Sequence, residues 1–185
     1  MMAILVVLPE FFNKIEHRQG VVLDDFVLAA LPAYNFSIAI FSSIWIMGLF
    51  TLYRAMQKPT ILIMFIWTLI FVLVARFASI TLVPLDPPIG LVPLTDPVNE
   101  IFYGHITVTK DLFFSGHTST MMLIFLCLEK RTDKIVAFFA MIAVMILLLF
   151  QHIHYTIDVL AAPIIVYILF RMTRTLFYAE LKNQR

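Results

Sequence analysis

Residues 60–83, TILIMFIWTLIFVLVARFASITLV, form an apolar run of 24 positions interrupted by one charge, Arg76. No other feature constrains the fold as strongly. About 20 apolar residues in helical form match the ~30 Å hydrocarbon core of a bilayer. In that medium every backbone polar group must be paired internally, which restricts a spanning chain to helices or a closed barrel. Similar runs recur, and we read five full spans at roughly 29–53, 60–83, 113–129, 134–151 and 155–173. The chain as a whole is 62% hydrophobic, whereas soluble domains are about half apolar. The expected fold class is therefore all-α, a polytopic membrane helical bundle of five full spans plus a short N-terminal hydrophobic segment, forming one membrane-embedded domain over residues 1–185. That first segment, MMAILVVLPEFF, has eight residues before Pro9. It is too short to span, and it lacks the charged start and small-residue cleavage site of a signal peptide.

Charge sets the expected orientation. Residues 10–25 hold Glu10, Lys14, Glu16, Arg18, Asp24 and Asp25, and residues 84–111 hold Asp86, Asp96, Glu100, Lys110 and Asp111. Between them the connection at 53–58 carries only Arg54 and Lys58, the turn EKRTDK at 129–134 has three basic residues, and the tail carries Arg171, Arg174, Lys182 and Arg185. Basic and acidic segments alternate, so the positive-inside rule puts 53–58, 129–134 and the C-terminus in the cytoplasm and 10–28, 84–112 and 151–155 outside. The Pro-rich stretch PLDPPIGLVPLTDP is expected to lie over the outer surface as a rigid cover. Short loops and the lack of appended domains fit a bacterial inner membrane. A net charge of +1 gives no reason to expect nucleic acid as a partner. The single cysteine, Cys127, excludes an intramolecular disulfide.

Two polar clusters stand out against this background. DLFFSGHTST, residues 111–120, places Ser115, Gly116 and His117 at the head of an apolar segment. QHIHYTIDV, residues 151–159, contains His152, His154 and Asp158, and the last two share a helix face if that stretch is helical. One helix runs from 117 to about 129 and the next returns from 134 to 151. An antiparallel hairpin of that length brings His117 and His154 to the same outer membrane surface.

Two histidines and a carboxylate at one membrane depth point to function, because ionisable groups there are expensive to keep. They suit phosphoryl transfer through a covalent intermediate. Neutral His154 is the nucleophile and Asp158 holds its tautomer. His117 is the general acid and then the base. Ser115 and Gly116 lie at a helix N-terminus, which attracts phosphate, although Ser115 equally fits a plain N-cap. Arg76 is a phosphate-binding arginine, or it snorkels to the membrane surface, or it pairs with Asp158 or Asp111. Lys110 can attract an anionic head group, and Asp111 and His152 complete the candidate binding set. His105 and His152 each also fit a polar group at the membrane interface, and His-x-His with a carboxylate also fits a metal site. The phosphoryl-transfer chemistry needs neither metal nor cofactor. Its partners are a phospholipid substrate, a lipid alcohol or water as acceptor, and the surrounding membrane lipids.

The two motifs resemble those of a known family. DLFFSGHT resembles the Asp-x-x-x-Ser-Gly-His-Thr motif of sphingomyelin synthases, and HIHYTIDV resembles their second motif, His-x-His-Tyr-[Ser/Thr]-[Ile/Val]-Asp-Val. Both lie within the wider lipid phosphatase/phosphotransferase superfamily of the type 2 phosphatidic acid phosphatases. The resemblance covers roughly residues 60 to 175. It implies six helices, a lumenal or periplasmic site, and His117, His154 and Asp158 as the catalytic triad. Leu147 and Leu148 stand where the phosphatase branch carries Ser-Arg, and that branch's Lys-x6-Arg-Pro is missing, as in the synthase branch. Arg76 to Thr81 matches the synthases' Arg-x-Ile-Thr with two extra residues, and Lys110 replaces a glycine. The expected activity is a sphingomyelin synthase-like lipid phosphotransferase. The alternatives are a lipid phosphate phosphatase and, from another class, a non-catalytic lipid-binding or transport protein.

Overall fold

The computed structural model describes residues 2–94 and 109–183, with side chains over 10–94 and 109–177. His105, Asp96, Glu100, the end of the Pro-rich stretch and the side chains of Lys182 and Arg185 lie outside these. The described residues form seven helices: α1 (Met2–His17), α2 (Phe26–Ala30), α3 (Ser37–Gln57), α4 (Thr60–Leu82), α5 (Gly116–Cys127), α6 (Arg131–Phe150) and α7 (Thr156–Asn183).

Four helices, α3, α4, α6 and the first 22 residues of α7, are long and apolar enough to cross a membrane. Their outward faces carry Ile46, Leu49, Trp67, Phe139 and Ile164, all exposed. In water such a surface would aggregate, whereas against lipid tails it is the stable one. The molecule is thus a multi-pass integral membrane protein built as a helical bundle.

The helix bounds differ from expectation for local reasons. The span expected from residue 29 starts at Ser37, because α2 stops at Leu31 before Pro32 and a residue preceding proline is pushed out of the helical region. The Asn35 carboxamide then accepts both the N–H and the hydroxyl of Ser37. α1 is a single helix of 16 residues running through Pro9, and the ring edge of Phe11 meets Phe77 of α4 at 5.1 Å. The largest difference is α5. The segment 113–129 was expected to be a full span, yet its 12-residue helix rises only about 18 Å.

A short helix is sustainable here because α5 lies in the middle of the bundle, packed against α3, α4, α6 and α7. Met121 and Ile124 join Ile40 and Met47 of α3 and Met141, Val144 and Leu148 of α6 in one core cluster. Leu123 and Cys127 join Val72 of α4 and Ala162 and Val166 of α7 in a second. The remaining depth is filled by the non-helical segment 109–115, whose Leu112, Phe114 and Ser115 are buried. Irregular backbone at membrane depth is tolerated when protein, rather than lipid, surrounds it. Arg76 donates to the carbonyl of Phe114 and Ser79 Oγ donates to that of Phe113 at 2.7 Å, so α4 supplies the missing hydrogen bonds.

The two ends of the bundle differ in character. At one end Arg54 pairs with Asp133 at 2.8 Å and Lys58 with Glu129 at 2.6 Å, joining the α3–α4 and α5–α6 connections. At the other end, three segments far apart in sequence are laced into a polar cap. Val21 pairs with Leu85 in an isolated bridge, Val92 N–H donates to Gln151 O at 3.1 Å, and Tyr34 N–H donates to Phe150 O at 2.9 Å. The buried Gln151 carboxamide accepts from Phe36 N–H at 3.0 Å and donates to Ser37 Oγ at 2.8 Å. Thus 10–36, 84–94 and 151–155 share one end, opposite the basic connections.

Candidate active site

The DLFFSGHT stretch turns from extended backbone into α5 at Ser115. The fully buried Ser115 caps the helix, its Oγ accepting from Thr118 N–H at 3.4 Å. The bland role expected of a serine at this position is therefore the one its hydroxyl plays. Its backbone N–H donates to Asp158 O at 3.2 Å, which joins the first motif directly to the second.

Gly116 is fixed by its neighbour. A Cβ there would stand 3.0 Å from Arg76 Cζ and 3.2 Å from one of its terminal nitrogens, so the guanidinium lies where a side chain would be. Arg76 is 8% exposed, bonds the Asp111 carboxylate at 2.5 Å and sits 5.8 Å from the Phe114 ring centroid. Of the partners considered for it, Asp111 is the one it meets.

His117 and His154 come together as the hairpin geometry requires, with ring centroids 6.1 Å apart. The edge of Phe41 from α3 lies 5.8 Å from His117. Asp158 is fully buried, and its Oδ2 stands 3.7 Å from His154 Nδ1. That is an ion-pair distance but too long for a hydrogen bond. The same Oδ2 accepts from Tyr155 N–H at 3.0 Å. Among the described residues, His117 Nδ1, His154 Nδ1 and Asp158 Oδ1 are buried atoms without a hydrogen-bond partner.

The other expected binding residues do not join this cluster. The Lys110 ammonium bonds Asp86 at 2.7 Å and the carbonyl of Arg18 at 2.6 Å, forming a clip between the cap segments. His152 has a left-handed backbone (φ 53°), and its Nδ1 lies 3.2 Å from Ile89 O, so its ring faces the Pro-rich stretch. Among the described residues, no three His, Cys, Asp or Glu side chains are placed to hold a metal ion.

Sequence reasoning missed several residues that build the site's frame. The Tyr155 hydroxyl donates to Asp86 O at 2.9 Å and accepts from Leu23 N–H at 3.1 Å. Asp25 accepts from Thr156 N–H at 2.7 Å. In the sequence Asp25 counted only as one of the charges of residues 10–25, although an aspartate ahead of an apolar stretch is an N-cap signal. Burial alone would raise its carboxyl, but hydrogen bonds from Thr156, Leu28 and Val27 outweigh it and hold the pKa below the ordinary value.

Residues 108–176 match the family model described as PAP2 superfamily C-terminal, which contains both motifs. Over that stretch the chain is similar to the C-terminal part of the PAP2 superfamily. No curated protein and no solved structure matches the chain significantly.

Proposed function

We propose that the protein is a sphingomyelin synthase-like phospholipid head-group phosphotransferase working through a phosphohistidine. The observation that carries this reading is the meeting of His117, His154 and Asp158 by the starts of α5 and α7, the two rings 6.1 Å apart and the carboxylate 3.7 Å from His154, with buried polar atoms that have no partner among the described residues. The positive ends of two helix dipoles thus face the place where a phosphate would sit.

With Asp158 toward Nδ1 of His154, the attacking atom is Nε2. It forms a bond to phosphorus while the bond from phosphorus to the lipid alkoxide breaks, and His117 gives its proton to the departing oxygen. Asp158 stabilises the positive charge that develops on the ring. In the second half the hydroxyl of a lipid alcohol attacks phosphorus, His117 takes its proton, and the P–N bond breaks to restore neutral His154. The 3.7 Å gap between His154 and Asp158 need only tighten when substrate binds, as catalytic contacts commonly do. The Arg76–Asp111 pair, beside Gly116, can exchange its carboxylate for a phosphate oxygen.

Water in place of the lipid alcohol makes the same site a phosphatase, and the PAP2 match favours keeping that second reading. We place the site on the outer face and the Arg54–Asp133 end in the cytoplasm, in accord with the positive-inside rule. The test uses purified protein with fluorescent phosphatidic acid and phosphatidylcholine, with and without diacylglycerol acceptor. His154→Ala and His117→Ala should each abolish turnover by a factor of about 100 or more. Free phospho-head-group as the sole product would select the phosphatase. Turnover surviving both substitutions would refute the assignment, and lipid movement without chemistry would indicate a transport protein.

A further inference from the structure

The geometry points to Asp25 as a positioning residue of the catalytic site, acting from the N-terminal cap on the start of the helix that carries Asp158. This role rests on the reading of His154 and Asp158 given above. α7 begins at Thr156, between those two residues. A helix start leaves its first N–H groups without intrahelical partners, and a Ser, Thr, Asp or Asn at the N-cap normally supplies one. Here the residue before Thr156 is Tyr155, whose hydroxyl is occupied at the far end of its ring by Asp86 O and Leu23 N–H. It has no side-chain oxygen near the helix start.

The cap comes from 131 residues away instead. Asp25 Oδ2 accepts from Thr156 N–H at 2.7 Å, and Oδ1 accepts from Thr156 Oγ1 at 3.0 Å. Oδ1 also accepts from Val27 N–H at 3.0 Å and Leu28 N–H at 3.2 Å, so one carboxylate serves two helix starts. The consequence falls on Asp158. Its Oδ2 accepts from Tyr155 N–H while standing 3.7 Å from His154 Nδ1, and its Oδ1 stays uncommitted. Were Asp158 the only acceptor for this turn, the backbone would draw its carboxylate away from the imidazole. With Asp25 holding Thr156, the first turn is fixed and Asp158 remains available to His154.

Losing Asp25 therefore moves the Asp158–His154 pair without touching the substrate contacts. A misplacement on the order of 1 Å at reacting groups costs about 100-fold in rate. Asp25→Ser separates this role from local stability, because serine also caps α2 well but is too short to reach Thr156 with two oxygens. Kinetics in detergent micelles, on whichever of fluorescent phosphatidic acid or phosphatidylcholine the wild type turns over faster, should show kcat lowered by about 10- to 100-fold with KM within about twofold. Asp25→Glu should recover part of the loss. Thr156→Val should slow the wild type but add nothing in the Asp25→Ser background. An unchanged kcat in Asp25→Ser, with His154→Ala inactive, would overturn the role of Asp25 alone. A loss matched by an equal loss of folded protein would also overturn it, leaving a structural cap. Turnover retained by His154→Ala would overturn the active-site reading and this role with it.

Discussion

Gly116→Ala tests how Arg76 is seated, and its outcome follows from distances. The new Cβ would stand 3.0 Å from Arg76 Cζ, 3.2 Å from a terminal nitrogen and 3.3 Å from Nε, so a planar group rather than one flexible atom must move. Ordinary contact needs a shift of several tenths of an ångström. The guanidinium has little freedom to make it, since it is tied to Phe114 O and Asp111 and has a side-chain exposure of 10%. Overpacking of this kind costs ~1–3 kcal/mol. Alanine in a helix recovers up to about 1 kcal/mol relative to glycine. The net expectation is a destabilisation of about 1–2 kcal/mol, read as a lowered unfolding midpoint of the purified protein in detergent. The cause is isolated by repeating the substitution on Arg76→Met. That change itself costs about 2 kcal/mol, less than a fully buried pair because Asp111 keeps a side-chain exposure of 34%. With the guanidinium gone, Gly116→Ala should be neutral or stabilising. Equal destabilisation in both backgrounds would refute the argument that glycine stands there to admit Arg76.

Two further expectations concern the cap and a third the orientation. The hydrogen bond from Lys110, ahead of the opposing effect of burial, lowers the Asp86 carboxyl below its ordinary value of 3.8. Its contribution to stability is then complete above that value and is lost as pH falls through the lower folded-state value. Asp86→Asn should therefore flatten the acid limb of the unfolding midpoint against pH, and an unchanged limb would disprove the coupling. Gly90→Ala forces a Cβ onto a residue with φ 82° and to 3.3 Å from His152 Nδ1. A loss of ~1–2 kcal/mol in thermal unfolding is expected, and a wild-type midpoint would show the Pro-rich stretch to be loosely held. Single cysteines at Ile89 and at Lys130, both exposed, in a Cys127→Ser background should report orientation. A membrane-impermeant maleimide should label only the first in intact cells, and the reverse pattern would invert the proposed topology.

The parts of this arrangement that were legible in the sequence depend on local pattern and chain length. Helix rise and hairpin length bring His117 to His154, and the charge alternation separates Arg54 and Lys58 from the 10–28 segment. The length of α5 was not legible, because hydropathy counts Leu112, Phe113 and Phe114 as apolar whether they face lipid or lie buried in non-helical backbone. His152 was grouped with His154 by spacing, whereas its left-handed backbone turns the ring to Ile89. That orientation depends on the partner segment. Asp25 and Gln151 contact residues more than 100 positions away, and no periodicity carries such information. Arg76 lay between the two: its cost in a span signalled a partner, and the fold selected Asp111.

The cap and the cluster account for each other energetically. A buried polar atom without a partner costs about 1–3 kcal/mol, and a charged one more. His117 Nδ1, His154 Nδ1 and Asp158 Oδ1 are three such atoms within the bundle's polar end. Leucine at those positions would span a membrane at lower cost. Left to itself, a region with this deficit would relax by turning its side chains toward each other or toward the backbone. What prevents this is the lacing around it. Ser115 N–H on Asp158 O fixes the start of α5 to α7, Gln151 anchors the turn before His154, and Asp25 holds the turn after it. The hydrogen bonds lie in the frame and the unmet groups in the centre. On the proposed function, that is the distribution expected of a pre-organised site.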